Sequence, residues 1–186
     1  MQKGLLIFDF GSQYTQLIAR RVRELNVYCE IHPFNHPPKD LAEYQGYILS
    51  GSPRSVRDQD APAFDLSILP AEKPVLGLCY GAQYLAKQAG GQVEAADHRE
   101  FGRARLQLVH QESPLLKGLS DQSQVWMSHS DSILKLPEEM EVIARTADIP
   151  VAAFAHREKA WFGIQFHPEV SHTEEGRLLL LNFIER

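Results

Sequence analysis

Gly4-Leu-Leu-Ile-Phe-Asp9 is an almost unbroken apolar run, and residues 12–25 then carry Leu17, Ile18, Val22 and Leu25 at helical spacing. A strand apolar on both faces cannot lie on the outside of a molecule. It must be covered on both sides, which is the situation of a parallel strand in a βαβ layer. The pattern recurs. Residues 27–32, 46–50 and 74–78 read as further strands, and residues 80–89 read as a helix directly after the last of them. Alternating strands and helices imply an α/β fold with an open, mainly parallel sheet flanked by helices. After Gly90-Gly91 the texture changes to short alternating runs at 104–109, 124–127, 132–136, 141–146, 151–156 and 161–166. These are expected to be antiparallel strands added to the sheet. Residues 174–184 close the chain as an amphipathic helix. No repeat, linker or low-complexity stretch divides the sequence, so residues 1–186 are expected to form one domain.

Several function classes are disfavoured at once. The formal net charge is -5, which argues against sequence-independent nucleic-acid binding, because phosphate contacts need a surplus of cations. Arg20, Arg21 and Arg23 form the one basic cluster, either a solvated helix face or a docking surface for a partner protein. No apolar run approaches the ~20 residues that span a bilayer. Two cysteines, Cys29 and Cys79, are too few for a disulfide framework, and no secretory leader pattern opens the chain, so a cytoplasmic, reduced protein is expected. His32, His36, His98, His110 and His156 are scattered without metal-ligand spacing, so no metal site is expected. Trp126 and Trp161 sit in strand patterns and are expected in the core.

Cys79 is the chemically pointed residue. Gly77-Leu-Cys79-Tyr-Gly81 joins an apolar strand to a helix, the cysteine form of a nucleophile elbow. Such a turn lifts its central side chain beyond the carboxyl end of the sheet, where open α/β sheets bind ligands. It also sets the thiol at a helix N-terminus, where free N–H groups and the dipole favour the thiolate. Cys29, in an apolar strand, reads as core. A thiolate nucleophile needs a proton shuttle and a group to orient it. His167-Pro168-Glu169 follows the 161–166 strand and offers both, with Glu169 expected on the same face as His167 if the chain stays extended. Ile48-Leu-Ser-Gly-Ser-Pro53 ends another strand in small residues that can aim backbone N–H groups at a developing oxyanion.

Together, Gly77-Leu-Cys-Tyr-Gly-Ala-Gln83, Ser50-Gly51 and Gly163-Ile-Gln-Phe-His-Pro-Glu169 resemble the class I (triad) glutamine amidotransferases, a flavodoxin-like family. Four further stretches narrow the resemblance to glutaminase domains of GMP synthetases: Asp9-Phe-Gly-Ser-Gln-Tyr-Thr-Gln16, Arg99-Glu-Phe-Gly102, Val125-Trp-Met-Ser-His129 with Asp131, and Val170-Ser-His-Thr173. The resemblance implies Cys79 as nucleophile, His167 as acid and base, and Glu169 as its orienter. It implies an oxyanion hole from the backbone of Gly51, Ser52 and Tyr80. It further implies that Gln83, His129, Ser130 and Asp131 hold the α-amino and α-carboxylate ends of glutamine, with Asp131 suited to the ammonium. Ser52 and Ser130 depart from the family's usual glycine, and a serine restricts the φ available at the oxyanion turn. No cofactor is expected in this chain. ATP and Mg²⁺ would serve a partner, the ATP pyrophosphatase domain or subunit of a GMP synthetase, reached either by docking of a free subunit or within a longer polypeptide. Rival readings are a γ-glutamyl cysteine hydrolase, an amidotransferase with another acceptor, and a non-catalytic docking module. His172 is expected to cap the last helix with Thr173, the alternative being that it lines the site.

Overall fold

The computed structural model describes residues 3–186, apart from the side chains of residues 97–100. His98 and the Arg99-Glu100 part of the Arg99–Gly102 motif therefore lie outside the described side chains. The elements in order are β1 (Lys3–Asp9), α1 (Thr15–Glu24), β2 (Cys29–Pro33), β3 (Tyr44–Leu49), β4 (Val75–Leu78), α2 (Tyr80–Gln88), β5 (Gln92–Arg105), β6 (Gln107–Leu108), β7 (Gln124–Lys135), β8 (Met140–Arg145), β9 (Ala153–His156), β10 (Trp161–Ile164) and α3 (Gly176–Ile184). Eight strands form one sheet in the order β2-β1-β3-β4-β10-β9-β8-β6, and β5 pairs with β7 in a separate ribbon. The strands β2, β1, β3, β4 and β10 run parallel, and β9, β8 and β6 extend the sheet antiparallel.

The unbroken apolar strands do what their composition requires. Leu5 and Ile7 of β1 face one core with Ile18, Ala19 and Val22 of α1 and Leu179, Leu180 and Phe183 of α3. Leu6 and Phe8 face the other, with Ala82, Leu85 and Ala86 of α2. The sheet is thus covered on both faces, and each fully buried large side chain contributes about 1.5–3 kcal/mol.

Three expectations about the second half are corrected. The 161–166 run is expected to be antiparallel; β10 is antiparallel to β9 on one side but parallel to β4 on the other, with Trp161 opposite Val75 and Ile164 opposite Leu78. Its residues Phe162, Gly163 and Ile164 are all buried, the signature of an interior parallel strand. The runs at 124–127 and 132–136 are one continuous strand, β7, crossing the polar Ser128–Asp131 stretch, and its ribbon with β5 stands apart from the main sheet. The 104–109 run is broken at buried Leu106, whose N–H and C=O turn away to Ser123 and Gln122. The N-terminal half of β5 is too polar to announce itself as a strand.

The helices are shorter than their sequence patterns. Residues 12–14 form a turn before α1, with the Ser12 hydroxyl accepting from Tyr14 N–H and the Asp9 carboxylate accepting from Gly11 N–H and the Thr15 hydroxyl. α3 has Glu175 at its N-cap with no side-chain cap, so neither His172 nor Thr173 caps it. Trp126 and Trp161 are half-buried rather than core: one ring stacks on His172 at 4.6 Å and the other lies under Lys159 Nζ.

Candidate active site

The strand-to-helix turn at Cys79 is a sharp one. Cys79 has φ 51° and ψ -106°, a conformation rare for a residue with a side chain, and it is the N-cap of α2. The glycines beside it are obligatory. A Cβ on Gly77 would lie 2.6 Å from backbone atoms of Gly81 and Ala82, and one on Gly81 would lie 2.3 Å from the Leu49 carbonyl oxygen. The turn is stapled to its neighbours: Cys79 N–H donates to the Ile164 carbonyl at 2.8 Å, and Gly81 N–H donates to the Ser50 carbonyl at 3.1 Å. Cys79 is only 6% exposed, so its sulfur is reached through the crevices it lines. Around that sulfur lie the Ser128 carbonyl at 3.5 Å and the Gln165 amide nitrogen at 3.7 Å.

His167 and Glu169 leave β10 as the chain turns rather than as an extended strand, which differs from the same-face geometry expected of them. The turn still brings them together: Nδ1 of His167 is 2.7 Å from Oε1 of Glu169, and both residues are almost fully buried. Nδ1 is thereby committed to the carboxylate, and the ring lines one crevice with the Cys79 sulfur. Burial works against the imidazolium, but the hydrogen bonds to Cys79 and Glu169 and their charges outweigh it and raise the pKa of His167 to about 11. A protonated imidazole beside a sulfur is the arrangement that supports a nucleophilic thiolate. The backbone of His167 is fixed from β7: its N–H donates to the Trp126 carbonyl at 3.1 Å, and the Thr173 hydroxyl donates to its carbonyl at 2.6 Å while accepting from Trp126 N–H. Tyr14 packs edge-on to the ring, and Arg21 Nε donates to the Glu169 carbonyl at 2.9 Å. One arginine of the α1 cluster is therefore spent on the site, and Arg23 is spent on the Cys29 carbonyl.

Gly51 and Ser52 line a crevice with Cys79 and His167, so the β3 turn does lie against the sulfur. Ser52 is not strained there. Among the described non-glycine residues only Asn26, Cys79 and Gln122 have positive φ, so serine meets no conformational obstacle in place of glycine. Its hydroxyl accepts from Arg54 N–H and winds the loop that follows.

A second crevice, about 200 Å³, is lined by Ser52, Pro53, Arg54, Cys79, Tyr80, Gln83, Phe101, Ser128, His129, Ser130 and Asp131. Every residue proposed from sequence for substrate binding faces it. Their roles differ in kind, however. Gln83 is 3% exposed and its amide nitrogen donates to the Asp131 carbonyl and to Gln165 Oε1, so it braces the wall. His129 Nδ1 also meets the Asp131 carbonyl, and burial lowers its pKa, which keeps the ring neutral. The Asp131 carboxylate is held by the Ser55 hydroxyl and, at 3.2 Å, by Arg57. Sequence reasoning missed Arg54, Ser55, Arg57 and the brace through Thr173; Gln165 had a signal, lying two residues before His167 in a strand that ends at the site.

The sequence profile described as "Glutamine amidotransferase class-I" matches residues 6–186. The chain belongs to that family. Among relatives of this amidotransferase, the "GMP synthase [glutamine-hydrolyzing]" of Porphyromonas gingivalis is 57% identical over 186 residues, 100% of this chain and 37% of that protein. The protein of the same name from Christiangramia forsetii is 54% identical over 184 residues, 99% of this chain and 36% of that one. The amidotransferase thus spans little more than a third of the length of these curated relatives. Among solved structures, a protein described as a subunit of GMP synthase from Thermoplasma acidophilum superposes with a TM-score of 0.82 at 31% identity, covering 100% of this chain and 94% of that one. A glutamine amidotransferase from Thermotoga maritima, at 21% identity and a TM-score of 0.79, shares the fold. Among the described residues no helix is long and apolar enough to cross a membrane, and no group of three or more His, Cys, Asp or Glu residues could hold a metal ion.

Proposed function

We propose that this amidotransferase hydrolyses the side-chain amide of glutamine and supplies the ammonia to the ATP-dependent part of a GMP synthetase. The observation that carries the chemistry is the buried Cys79, His167 and Glu169 cluster, with the thiol on a strained elbow and the imidazole held by a carboxylate 2.7 Å away. The Cys79 sulfur attacks the carboxamide carbon. The oxyanion is received by backbone N–H groups of the Gly51-Ser52 turn and of Tyr80, the first residue of α2, where helix N–H groups are unpaired by helix geometry. His167 passes its proton to the departing nitrogen, so that ammonia leaves and a γ-glutamyl thioester remains. It then takes a proton from water as the water attacks the thioester, which releases glutamate and restores the thiolate beside the protonated ring. Glu169 keeps Nδ1 occupied throughout, so that the other ring nitrogen serves both transfers.

The acceptor is the finer part of the reading. Its support is the name shared by relatives at 50–57% identity, together with the two-thirds of their length that this chain does not cover. In this reading the missing part uses ATP and Mg²⁺ to activate xanthosine monophosphate for amination to GMP, this chain carries no cofactor of its own, and the protein works in the cytoplasm without nucleic acid or membrane. The test is glutamate release from glutamine by this chain, with Cys79→Ala beside it, alone and with the ATP-dependent part of a GMP synthetase, ATP and xanthosine monophosphate. Cys79-dependent release that rises on the additions is expected. Release that survives Cys79→Ala refutes the chemistry, and release indifferent to the additions refutes the acceptor.

A further inference from the structure

Phe101 and Gly102 belong to one of the stretches that narrow the sequence resemblance, yet the chemistry above makes no use of them. Phe101 is 63% exposed. Besides the small crevice at Cys79 it lines a larger one, about 760 Å³, between the β5–β7 ribbon and the segment 147–150 that joins β8 to β9. Leu134 of β7, 50% exposed, lines the larger crevice too, so two of the five exposed large apolar side chains among the described residues meet there. Large apolar side chains left in water around a concave surface mark a contact with another macromolecule. No triad residue lines this crevice. We propose that it seats the ATP-dependent part of the synthetase, through an apolar element that packs on Phe101 and Leu134 of the ribbon and on Pro150 of the facing segment. This rests on the acceptor reading above.

Location decides the occupant. The segment 147–150 lies at the end of the sheet that carries the nucleophile: Gln165 N–H donates to the Ala152 carbonyl, Ile164 lies opposite Ala153, and the Ile164 carbonyl accepts from Cys79 N–H. A body seated in the crevice therefore stands beside the site that releases ammonia. A second copy of this chain would only release more of it, whereas a synthetase consumes it. The relatives named above leave the larger part of their length to pack here, since this chain covers 36% and 37% of them. The lining also states what the element must bring. Ser132 is 4% exposed, and its hydroxyl has no hydrogen-bond partner among the described residues, so a polar group such as a backbone amide is required opposite it. Arg103 and Asp148, both exposed, add one charge of each sign to the lining and call for a residue of opposite sign facing each. Because Phe101 is a wall of both crevices, an occupant that fixes its ring also fixes one side of the crevice at Cys79.

The experiment titrates this chain with the ATP-dependent part of a GMP synthetase in the presence of ATP, Mg²⁺ and xanthosine monophosphate, and follows glutamate release together with complex formation by sedimentation velocity. Wild type, Leu134→Glu and Phe101→Ala are compared with Val109→Glu, a control at an exposed apolar residue that does not line the crevice. Leu134 does not line the crevice at Cys79, so Leu134→Glu should keep the melting temperature and the glutamate release of the chain alone. It should raise the partner concentration needed for half-maximal stimulation by about tenfold to a hundredfold, the loss of one central apolar contact. Phe101→Ala should weaken complex formation by a similar factor, and Val109→Glu should leave it unchanged. An unshifted half-maximal concentration in Leu134→Glu, an equal shift in Val109→Glu, or a lower release by Leu134→Glu alone would each overturn the docking site. So would a wild-type chain that dimerises where Leu134→Glu does not, since a second copy would then hold this face. A wild-type chain that neither binds the ATP-dependent part nor responds to it would instead sink the acceptor reading on which the docking rests.

Discussion

Replacing Glu169 by glutamine tests the inner logic of the site, because it keeps shape and removes charge. Glu169 is 1% exposed, its Oε1 lies 2.7 Å from Nδ1 of His167, and its Oε2 has no hydrogen-bond partner among the described residues. The carboxylate therefore spends its charge on the imidazole. A hydrogen bond to a charged group contributes about 1.5–3 kcal/mol against about 1 for a neutral one, and 1.36 kcal/mol corresponds to one pH unit. His167, raised to about 11 by its partners, should titrate roughly one unit lower or somewhat more in Glu169→Gln. The amide can also donate to Nδ1 and so select the wrong tautomer, which should cost glutamine hydrolysis about 10²–10⁴-fold. Ring-labelled histidine followed by NMR across pH reads the first effect directly. Stability should follow with a definite sign. A folded-state pKa above the ordinary 6.5 gives stabilisation that is fully present below about 6.5 and is lost as pH rises through about 11. Glu169→Gln should bring that alkaline loss to lower pH. A His167 titration at the same pH in both proteins would refute the account, since the carboxylate would then not be what keeps the proton on the ring.

Two further substitutions probe the frame. Gly81→Ala places a Cβ 2.3 Å from the Leu49 carbonyl oxygen, so β3 and α2 must separate; a loss of about 1–3 kcal/mol, or a melting temperature lower by about 3–10 °C, is expected, and an unchanged melt would contradict the close approach. Thr173→Val removes a hydroxyl that donates to His167 C=O and accepts from Trp126 N–H, leaving two backbone groups unpaired at a cost of about 2–4 kcal/mol in denaturant unfolding, whereas Thr173→Ser should stay near wild type.

What the sequence made legible were features whose cause is local. Unbroken apolar runs announce buried parallel strands, and the two glycines around Cys79 announce a turn that tolerates no Cβ on either side. What stayed hidden depends on partners far away in the chain. The direction of β10 is decided by its pairing with β4, some 86 residues earlier, and the apolar run Trp161 to Ile164 is too short to set it apart from the antiparallel strands around it. The β5–β7 ribbon is half polar because one of its surfaces faces water, so its long strands show only fragments of alternation. Thr173 reads as a helix cap by residue type, yet its hydroxyl is claimed by β7 across 47 residues. Asp131 could be picked out as a charge near the site, but not its engagement by Ser55 and Arg57, since those contacts exist only once the loop after β3 has folded back over the crevice.

The positions of the reacting groups are set by backbone. The ends of β3, β4 and β10 are laced together through Ser50, Cys79, Gly81 and Ile164, and the lacing extends to β1 through the Ser50 N–H bond to the Phe8 carbonyl and the Phe10 N–H bond to the Ser50 hydroxyl. That network holds Cys79 in a conformation whose strain is about 1–3 kcal/mol. Since the thiol takes no part in the lacing, removing it leaves the turn intact, and Cys79→Ala reports on chemistry alone. A substitution at Gly77 or Gly81 does the reverse: it leaves every reacting group present and moves them apart. The two kinds of variant therefore separate what the site does from how the sheet places it, and a chain in which Gly81→Ala retained full glutaminase activity would show that the strained elbow is not needed to present the sulfur.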